Sequence, residues 1–274
     1  MPEKPEVVTV ARNLSSILKE KRIVNCHVYW NNIIAYPSVE YFQEKIVNQV
    51  FHSVTTRGKF LLLELEDYTL LIHLRMEGKF LFRKEGDALS KHEHVEFILE
   101  DGSSFRYHDV RKFGKMYLLE KENLYQRKPL CDLGYEYDDK RLTKEYLYEK
   151  IHHKSLPIKT VLLDQSILAG IGNIYANEIL FLSRIHPKRK SSSITKKECQ
   201  NIIENTRIIL DKAITLGGTT IRSFTSSEGV HGLFQNELKV HGREKEKCLI
   251  CGEIIQKIQL GGRGTYFCPN CQKK

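Results

Sequence analysis

The chain has 274 residues, of which 41% are apolar and 28% charged, so it can bury a substantial core and extensive disorder is excluded. No apolar run approaches the ~18 residues of a transmembrane helix, and the opening residues lack the apolar segment of a secretory signal. We therefore expect neither a membrane span nor export. The net charge of +9 fits a polyanionic partner and fits equally well a protein that is merely basic.

The N-terminal half is predicted to be one helix followed by strands. From Pro5 to Lys19 the apolar side chains fall on one face of a 3.6-residue period, and Pro5 suits a first helical position. From Arg22 to Leu119 strand-like apolar runs alternate with turns such as Asp101-Gly102. This pattern predicts a mainly antiparallel β-sandwich or barrel.

The C-terminal half is predicted to be helical and to end in short strands. An apolar stripe from Ile202 to Ile214 is closed by Gly217 and Gly218 as a helix stop. The fold class is therefore α+β, and charged and turn residues place a boundary near the middle of the chain. The expected domains are an N-terminal helix with a β-sandwich over 1–125, a linker over 126–140, a helical domain over 141–236 and a cysteine-rich segment over 237–274.

Four cysteines near the C-terminus have the spacing of a metal site. Cys248 and Cys251 form one CxxC pair, and Cys268 and Cys271 form a second after sixteen residues. This spacing is typical of a structural zinc ribbon with four thiolate ligands and one Zn²⁺. Two disulfides are the alternative, which an intracellular chain disfavours.

Two glycine-rich segments are candidates for binding phosphate. Arg263 follows Gly261 and Gly262 between the two CxxC pairs, and Asn173 is expected to be the N-cap of a helix after Gly170 and Gly172. Backbone N–H groups and a guanidinium at such positions bind phosphate well. A solvated loop arginine and a purely structural helical corner are the alternatives.

The first residues offer a nucleophile if Met1 is removed. Pro2 then presents a secondary amine, and an α-amino group has a pKa near 8, so part of it is neutral at pH 7. A neutral amine attacks an aldehyde-like carbon and forms an iminium ion. Glu3 is placed to transfer protons and Glu6 to orient the group. Taken alone, an opening of Met-Pro-Glu is common and weak evidence.

Together these motifs resemble one family. Residues Pro2 to Val7, the segment Arg57 to Leu62, the Asn173 corner and the four-cysteine finger occur in the order found in the formamidopyrimidine-DNA glycosylase/endonuclease VIII family. The resemblance covers essentially the whole chain. It implies a helix–two-turns–helix domain and a bifunctional enzyme of base excision repair that removes 8-oxoguanine and formamidopyrimidines from damaged double-stranded DNA and then cleaves the abasic site by β,δ-elimination.

The resemblance also implies four catalytic roles. Pro2 is the nucleophile on C1′ of the damaged nucleotide and forms the Schiff base. Glu3 is the carboxylate that assists base release and sugar ring opening. Lys59 contacts lesion or phosphate and transfers protons in β-elimination. Arg263 holds the phosphate beside the lesion and assists δ-elimination.

The resemblance further implies contacts with DNA. A base-flipping enzyme needs side chains that fill the vacated space, and Met76 and Phe113 match apolar inserts while Arg111 matches the contact to the orphaned cytosine. His92 matches a DNA-contacting histidine, with a structural or metal-binding His-x-His as the alternative. The lysine before the helical corner is Lys154 or Lys159, and Lys154 is preferred. Residues 217–232 resemble a loop over the extruded base.

Two rival functions fit the same sequence. One is an endonuclease VIII-type specificity for oxidised pyrimidines, against which Met76, Arg111 and Phe113 together argue. The other is a non-enzymatic zinc protein that binds damaged DNA. We expect a monomer with one structural Zn²⁺, no redox cofactor, and a location in the bacterial cytoplasm on nucleoid DNA.

Overall fold

The computed structural model describes residues 1–219 and 232–273, and these residues form two compact units. The first unit comprises Met1–Cys131 and Gly217–Gly232, and the second comprises Asp132–Leu216 and Leu233–Lys274. Within the described ranges no helix is long and apolar enough to cross a membrane.

The first unit begins with the predicted helix and continues with strands and one short helix. Its elements are α1 (Lys4–Leu18), β1 (Ile23–Val28), β2 (Ile34–Tyr36), α2 (Val39–Ile46), β3 (Ser53–Arg57), β4 (Phe60–Glu64), β5 (Tyr68–His73), β6 (Lys79–Arg83), β7 (Glu93–Leu99), β8 (Ser104–His108) and β9 (Lys115–Glu120).

The strands of this unit form two sheets that share one hydrophobic core. The four-stranded sheet has the order β1-β7-β8-β6, and the five-stranded sheet has the order β2-β9-β5-β4-β3. Neighbouring strands are antiparallel except for the parallel pair β2 and β9. Helix α1 packs against β3 and buries Val7 and Leu14 in the common core. The predicted helix and antiparallel sandwich are confirmed, with one parallel edge pair that the sequence did not predict.

The second unit is helical and ends in a two-stranded ribbon. Its elements are α3 (Lys144–Ile151), α4 (Ile158–Leu162), α5 (Asn173–Leu182), α6 (Lys196–Thr215), β10 (Gln256–Leu260) and β11 (Arg263–Phe267). Helix α6 starts with a capping box in which Thr195 and Glu198 satisfy each other's backbone N–H groups. It buries the predicted stripe, including Ile202 and Leu210, and Gly217 follows it with a φ of +75°.

A two-residue hairpin turn joins the two ribbon strands. Leu260 pairs with Arg263, so only Gly261 and Gly262 separate β10 from β11. Both glycines have positive φ, 56° and 71°, which a two-residue type I′ turn requires and which costs other residues energy. The turn therefore places Arg263 at the first position of β11, where its side chain is exposed.

Candidate active site and metal centre

The start of α1 gathers buried charged groups around the chain terminus. Pro2 is buried, and Glu3 and Glu6 are 2% and 3% exposed. Glu6 accepts a hydrogen bond from the backbone N–H of Glu3 through Oε2, at 2.9 Å. This contact gives the N–H group at the helix start an acceptor and fixes Glu3 beside the terminus.

Lys59 lies in the same environment. It occupies the two-residue turn between β3 and β4 together with Gly58, whose φ is +57°. Lys59 is buried, and its charge acts on the terminal ammonium together with those of Glu3, Glu6 and Glu77. The structure thus brings together Pro2, Glu3 and Lys59, the three predicted catalytic residues of this unit.

The electrostatics of this environment favour a neutral amine. Burial lowers the pKa of the terminal ammonium, at Met1 in this chain, below its ordinary value, while Glu3 and Glu6 oppose the shift. An amine with a lowered pKa has a larger neutral, nucleophilic fraction near pH 7. Neighbouring His73 has a pKa lowered to about 3 by burial and by Arg75 and Lys59, so it adds no positive charge at neutral pH.

Glu6 also reaches a second segment of the same unit. Its Oε1 accepts the backbone N–H of Thr219 at 2.7 Å and the Thr219 hydroxyl at 3.1 Å. Gly218, with φ +78°, lies so close that a Cβ there would sit 2.6 Å from the same oxygen. Of the predicted loop over 217–232, residues 220–231 lie outside the described residues.

The predicted DNA-contacting residues of this unit lie on turns and strand ends. Phe113 is 49% exposed, and the Arg111 guanidinium lies over its ring at 4.8 Å from the centroid. Met76 is half-buried in the turn between β5 and β6. An exposed ring beside a guanidinium is available for contact with a partner, unlike a core phenylalanine.

His92 is half-buried, and its ring meets that of His108 edge-on at 5.6 Å. His94, the other histidine of the His-x-His pair, is buried and hydrogen-bonds through Nε2 to the carbonyl oxygen of Asp109 at 2.8 Å. In the described part of the chain, the cysteine group is the one set of three or more metal-ligating side chains. The metal-binding alternative for His92 and His94 therefore gains no support.

In the second unit a buried lysine joins two predicted phosphate-binding elements. Lys159 Nζ donates to Asn173 Oδ1 at 2.7 Å, to the Gly264 carbonyl at 3.1 Å and to Thr265 Oγ1 at 2.7 Å. Asn173 Nδ2 also donates to the Gly264 carbonyl at 3.1 Å. The start of α5 and the hairpin that carries Arg263 are thus tied at one point.

One detail of the sequence prediction is wrong here. The N-cap of α5 is Gly172 rather than Asn173, because the Asn173 side chain is engaged by Lys159 and Gly264 and the extended backbone of Gly172 starts the helix. Lys159 is the lysine that reaches this corner. Lys154 lies between α3 and α4, where its carbonyl accepts bonds from Ser191 and Ser192, and its contact with DNA stays a prediction.

The four cysteines form the predicted cluster. Their sulfur atoms all lie within 4.8 Å of one another, and the four side chains are free thiols rather than disulfides. The Sγ atoms of Cys248 and Cys271 are 3.9 Å apart, and those of Cys251 and Cys268 are 3.5 Å apart. Tetrahedral thiolates at ~2.3 Å from zinc lie about 3.8 Å from one another, so this donor set fits Zn²⁺.

Family models match the chain in three successive parts. The formamidopyrimidine-DNA glycosylase N-terminal domain matches residues 1–116, the formamidopyrimidine-DNA glycosylase H2TH domain matches residues 133–225, and the zinc finger found in FPG and IleRS matches residues 245–274. A helix-led sandwich, a helical unit and a four-cysteine ribbon in this order define a class of DNA glycosylases.

Individual relatives narrow the assignment. The formamidopyrimidine-DNA glycosylase of Bacillus anthracis is 44% identical over 275 residues, covering 100% of both chains. A mutant of the Lactococcus lactis protein in complex with DNA containing Fapy-dG has a TM-score of 0.93, 34% identity and full coverage of both chains. A complex of MutM with DNA containing carbocyclic 8-oxo-G has a TM-score of 0.92 at 34% identity, also with full coverage of both chains. The chain belongs to the formamidopyrimidine-DNA glycosylase family.

Proposed function

We propose that the chain excises oxidised purines, 8-oxoguanine and formamidopyrimidines, from duplex DNA in base excision repair and then cleaves the abasic site. The observation that carries this proposal is the buried amine at the start of α1 with Glu3, Glu6 and Lys59 acting on it. Related proteins of the family in complex with DNA that contains Fapy-dG or an 8-oxo-G analogue support the purine lesion as substrate.

The reaction begins when removal of Met1 moves the free amine to Pro2. The Pro2 nitrogen attacks C1′ of the extruded nucleotide and the C1′–N9 bond breaks. The nitrogen gives up its proton, and the leaving base takes up a proton in balance. Glu3 donates a proton to the ring oxygen O4′, the C1′–O4′ bond opens, and an iminium ion forms between C1′ and the proline nitrogen. The burial of Glu3, at 2% exposed, keeps competing water from this carboxyl group.

Strand cleavage follows from the iminium ion. The positive nitrogen acidifies the C2′ hydrogens, and loss of one of them to a base breaks the C3′–O bond and expels the 3′ phosphate. Loss of the C4′ hydrogen then breaks the C5′–O bond and expels the 5′ phosphate. We assign proton transfer in the first elimination to Lys59 and phosphate contact in the second to Arg263. Hydrolysis of the iminium returns the proline amine and leaves a one-nucleotide gap with phosphate ends.

We assign DNA positioning to residues of both units. Met76 and Phe113 insert into the base stack, Arg111 contacts the orphaned base, and His92 and Lys154 contact the backbone. Asn173 at the start of α5 binds phosphate together with the N–H groups of the helix end. The exposed side chain of Arg263 is free of the hairpin backbone that Lys159 fixes.

We propose that one structural Zn²⁺ is held by Cys248, Cys251, Cys268 and Cys271. The ion leaves no ligand position open for substrate, so it stabilises the ribbon and takes no part in the reaction. We further propose a monomer in the bacterial cytoplasm, bound to nucleoid DNA, with domains over 1–125, 141–236 and 237–274 and a linker over 126–140.

The test is excision and trapping on defined duplexes. The proposal predicts cleavage of an 8-oxoguanine:C duplex with phosphate at both gap ends, and a covalent protein–DNA adduct when borohydride is present. Preferred cleavage of a thymine-glycol duplex would establish the oxidised-pyrimidine alternative. Binding to the 8-oxoguanine duplex without cleavage or adduct would establish a non-enzymatic DNA-binding protein.

A further inference from the structure

Two turns of the first unit each connect one sheet to the other, and both lie at the same end of the sandwich. The turn with Met76 links β5 of the five-stranded sheet to β6 of the four-stranded sheet, and the turn with Phe113 links β8 back to β9. The strands are paired where the turns leave them, His73 with Lys115 and Lys79 with His108. The two turns, residues 74–78 and 109–114, therefore run side by side, and we call them the paired turns.

Tyr107 fills the space between the paired turns. Its side chain is completely buried. A Cβ built on Gly78 would lie 2.1 Å from the Tyr107 hydroxyl oxygen, and one built on Gly114 would lie 1.7 Å from it. The hydroxyl group thus contacts the last residue of each turn, and both positions exclude any side chain.

Asp109 organises the second of the paired turns. It is completely buried, its Oδ1 accepts the backbone N–H of Arg111 at 3.0 Å, and its Oδ2 accepts those of Phe113 and Gly114 at 2.9 Å each. The Tyr107 hydroxyl donates to Oδ2 at 3.4 Å. Charge-assisted bonds that three backbone N–H groups donate to one carboxylate fix the turn in a single conformation.

We propose that Tyr107 and Asp109 are positioning residues that hold Met76 and Phe113 at a fixed spacing, so that the two apolar side chains enter the DNA base stack as one preformed insert. This inference rests on the proposed function, which assigns insertion to Met76 and Phe113. Unstacking a base step costs free energy, and an insert that is already ordered does not add the entropy of ordering a loop to that cost.

The test compares a stacked lesion with a site that lacks a base. Asp109→Asn keeps the shape but replaces one acceptor oxygen with a donor, and Tyr107→Phe removes only the hydroxyl. For each, single-turnover cleavage is measured on an 8-oxoguanine:C duplex and on a duplex with an abasic site. For Asp109→Asn we expect the cleavage rate of the 8-oxoguanine duplex to fall about 10-fold to 100-fold. The cleavage rate of the abasic duplex should fall about threefold or less, because extrusion is easier there.

Matched controls separate positioning from general damage. Asp101→Asn changes an exposed aspartate that also accepts a backbone N–H, from Ser103 at 3.0 Å, and Tyr29→Phe removes a hydroxyl that donates to Glu96. Neither substitution should change the cleavage rate of either duplex. The fluorescence of 2-aminopurine beside the lesion should rise more slowly with Tyr107→Phe than with the unsubstituted chain, because insertion unstacks that base.

Equal losses on both substrates, or an unchanged fluorescence trace, would overturn the positioning role. If Asp109→Asn fails to fold, Tyr107→Phe retains the ring and decides the question alone. Absence of lesion cleavage by the unsubstituted chain would refute the proposed function, and this inference with it.

Discussion

Glu6 binds Thr219 through the same carboxylate that fixes Glu3. Oε1 accepts the Thr219 N–H at 2.7 Å and its hydroxyl at 3.1 Å, while Oε2 accepts the Glu3 N–H at 2.9 Å. The start of α1 and the chain 213 residues later thus share one buried side chain. Both contacts need acceptor oxygens, so a carboxylate serves both and an amide serves only one.

Glu6→Gln should therefore slow Schiff-base formation on an 8-oxoguanine duplex about 10-fold to 100-fold, as expected for one lost bond to a charged group of about 1.5–3 kcal/mol. The amide nitrogen must face either the Glu3 or the Thr219 donor. Trapping rates under single-turnover conditions measure the effect. Glu20→Gln, at a surface position, is the control, and an unchanged rate in Glu6→Gln would show that the two contacts do not matter for catalysis.

Thr219→Val tests one arm of this contact. Valine keeps the backbone N–H that donates to Glu6 and removes only the hydroxyl, so the trapping rate should fall about 10-fold, the low end of the range for a hydrogen bond to a charged group of about 1.5–3 kcal/mol. Thr219→Ser should restore the rate. A larger loss in Thr219→Val than in Glu6→Gln would mean that the hydroxyl has a separate role.

Lys159→Met should weaken DNA binding about tenfold while leaving its salt dependence unchanged. Lys159 is 1% exposed and bonds to Asn173, Gly264 and Thr265, so we expect it to order the groups proposed to bind phosphate without neutralising a phosphate itself. By contrast, Arg263→Ala should lower the magnitude of the negative slope of log K against log salt concentration by about 0.9. Affinities measured at several salt concentrations distinguish these effects.

Lys154→Met is the comparison for Lys159. If Lys154 contacts the DNA backbone, Lys154→Met should behave like Arg263→Ala. The magnitude of the slope of log K against log salt concentration should then fall by about 0.9. An unchanged slope in Lys154→Met would remove Lys154 from the interface, and a reduced slope in Lys159→Met would contradict the buried role of that lysine.

Purified protein should contain one zinc ion per chain, and Cys268→Ser should contain none. The ribbon has a small core, Phe181, Val240 and Ile255 with the cysteines, so loss of the ion should unfold it and release Arg263 from its fixed position. Metal content by atomic emission checks the stoichiometry. Cys199→Ser, at a buried cysteine outside the ribbon, should retain full zinc, and full zinc in Cys268→Ser would contradict the four-thiolate site.

Stability should fall as the pH drops below about 6.5, in part because of His73. Its folded-state pKa is lowered to about 3, whereas the unfolded histidine titrates near 6.5, so between these values the unfolded chain binds the extra proton. Protonation therefore favours unfolding as the pH falls through this window. Denaturant unfolding at pH 7.5 and 5.0 should show a smaller pH difference for His73→Asn than for the unsubstituted chain.

Local patterns in the sequence predicted most of the fold. The apolar period after Pro5, the turn at Asp101-Gly102 and the paired CxxC motifs each depend on neighbours within a few residues, and the helix, hairpin and cysteine cluster are confirmed. The parallel pairing of β2 with β9 joins segments about 80 residues apart, and no pattern within either segment predicts this pairing.

The candidate site was predictable only in part for the same reason. The motif residues Pro2, Glu3 and Lys59 were found, but the residues that support them act across the fold. Asp109 accepts backbone N–H groups of its own turn, and Lys159 binds a hairpin 106 residues further along the chain, and no pattern in the sequence predicts either contact. The prediction that Asn173 caps α5 was wrong because its side chain binds Gly264 in a hairpin about 90 residues away.

The most direct measurement identifies the residue that carries the covalent adduct. Borohydride-trapped complex on an 8-oxoguanine:C duplex is digested, and mass spectrometry locates the deoxyribose remnant. We predict a peptide that begins at Pro2, with Met1 absent and the remnant on the proline nitrogen, and an N-terminally extended chain should give no adduct. A remnant on Lys59 or another lysine, or an adduct on chains that retain Met1, would contradict this prediction.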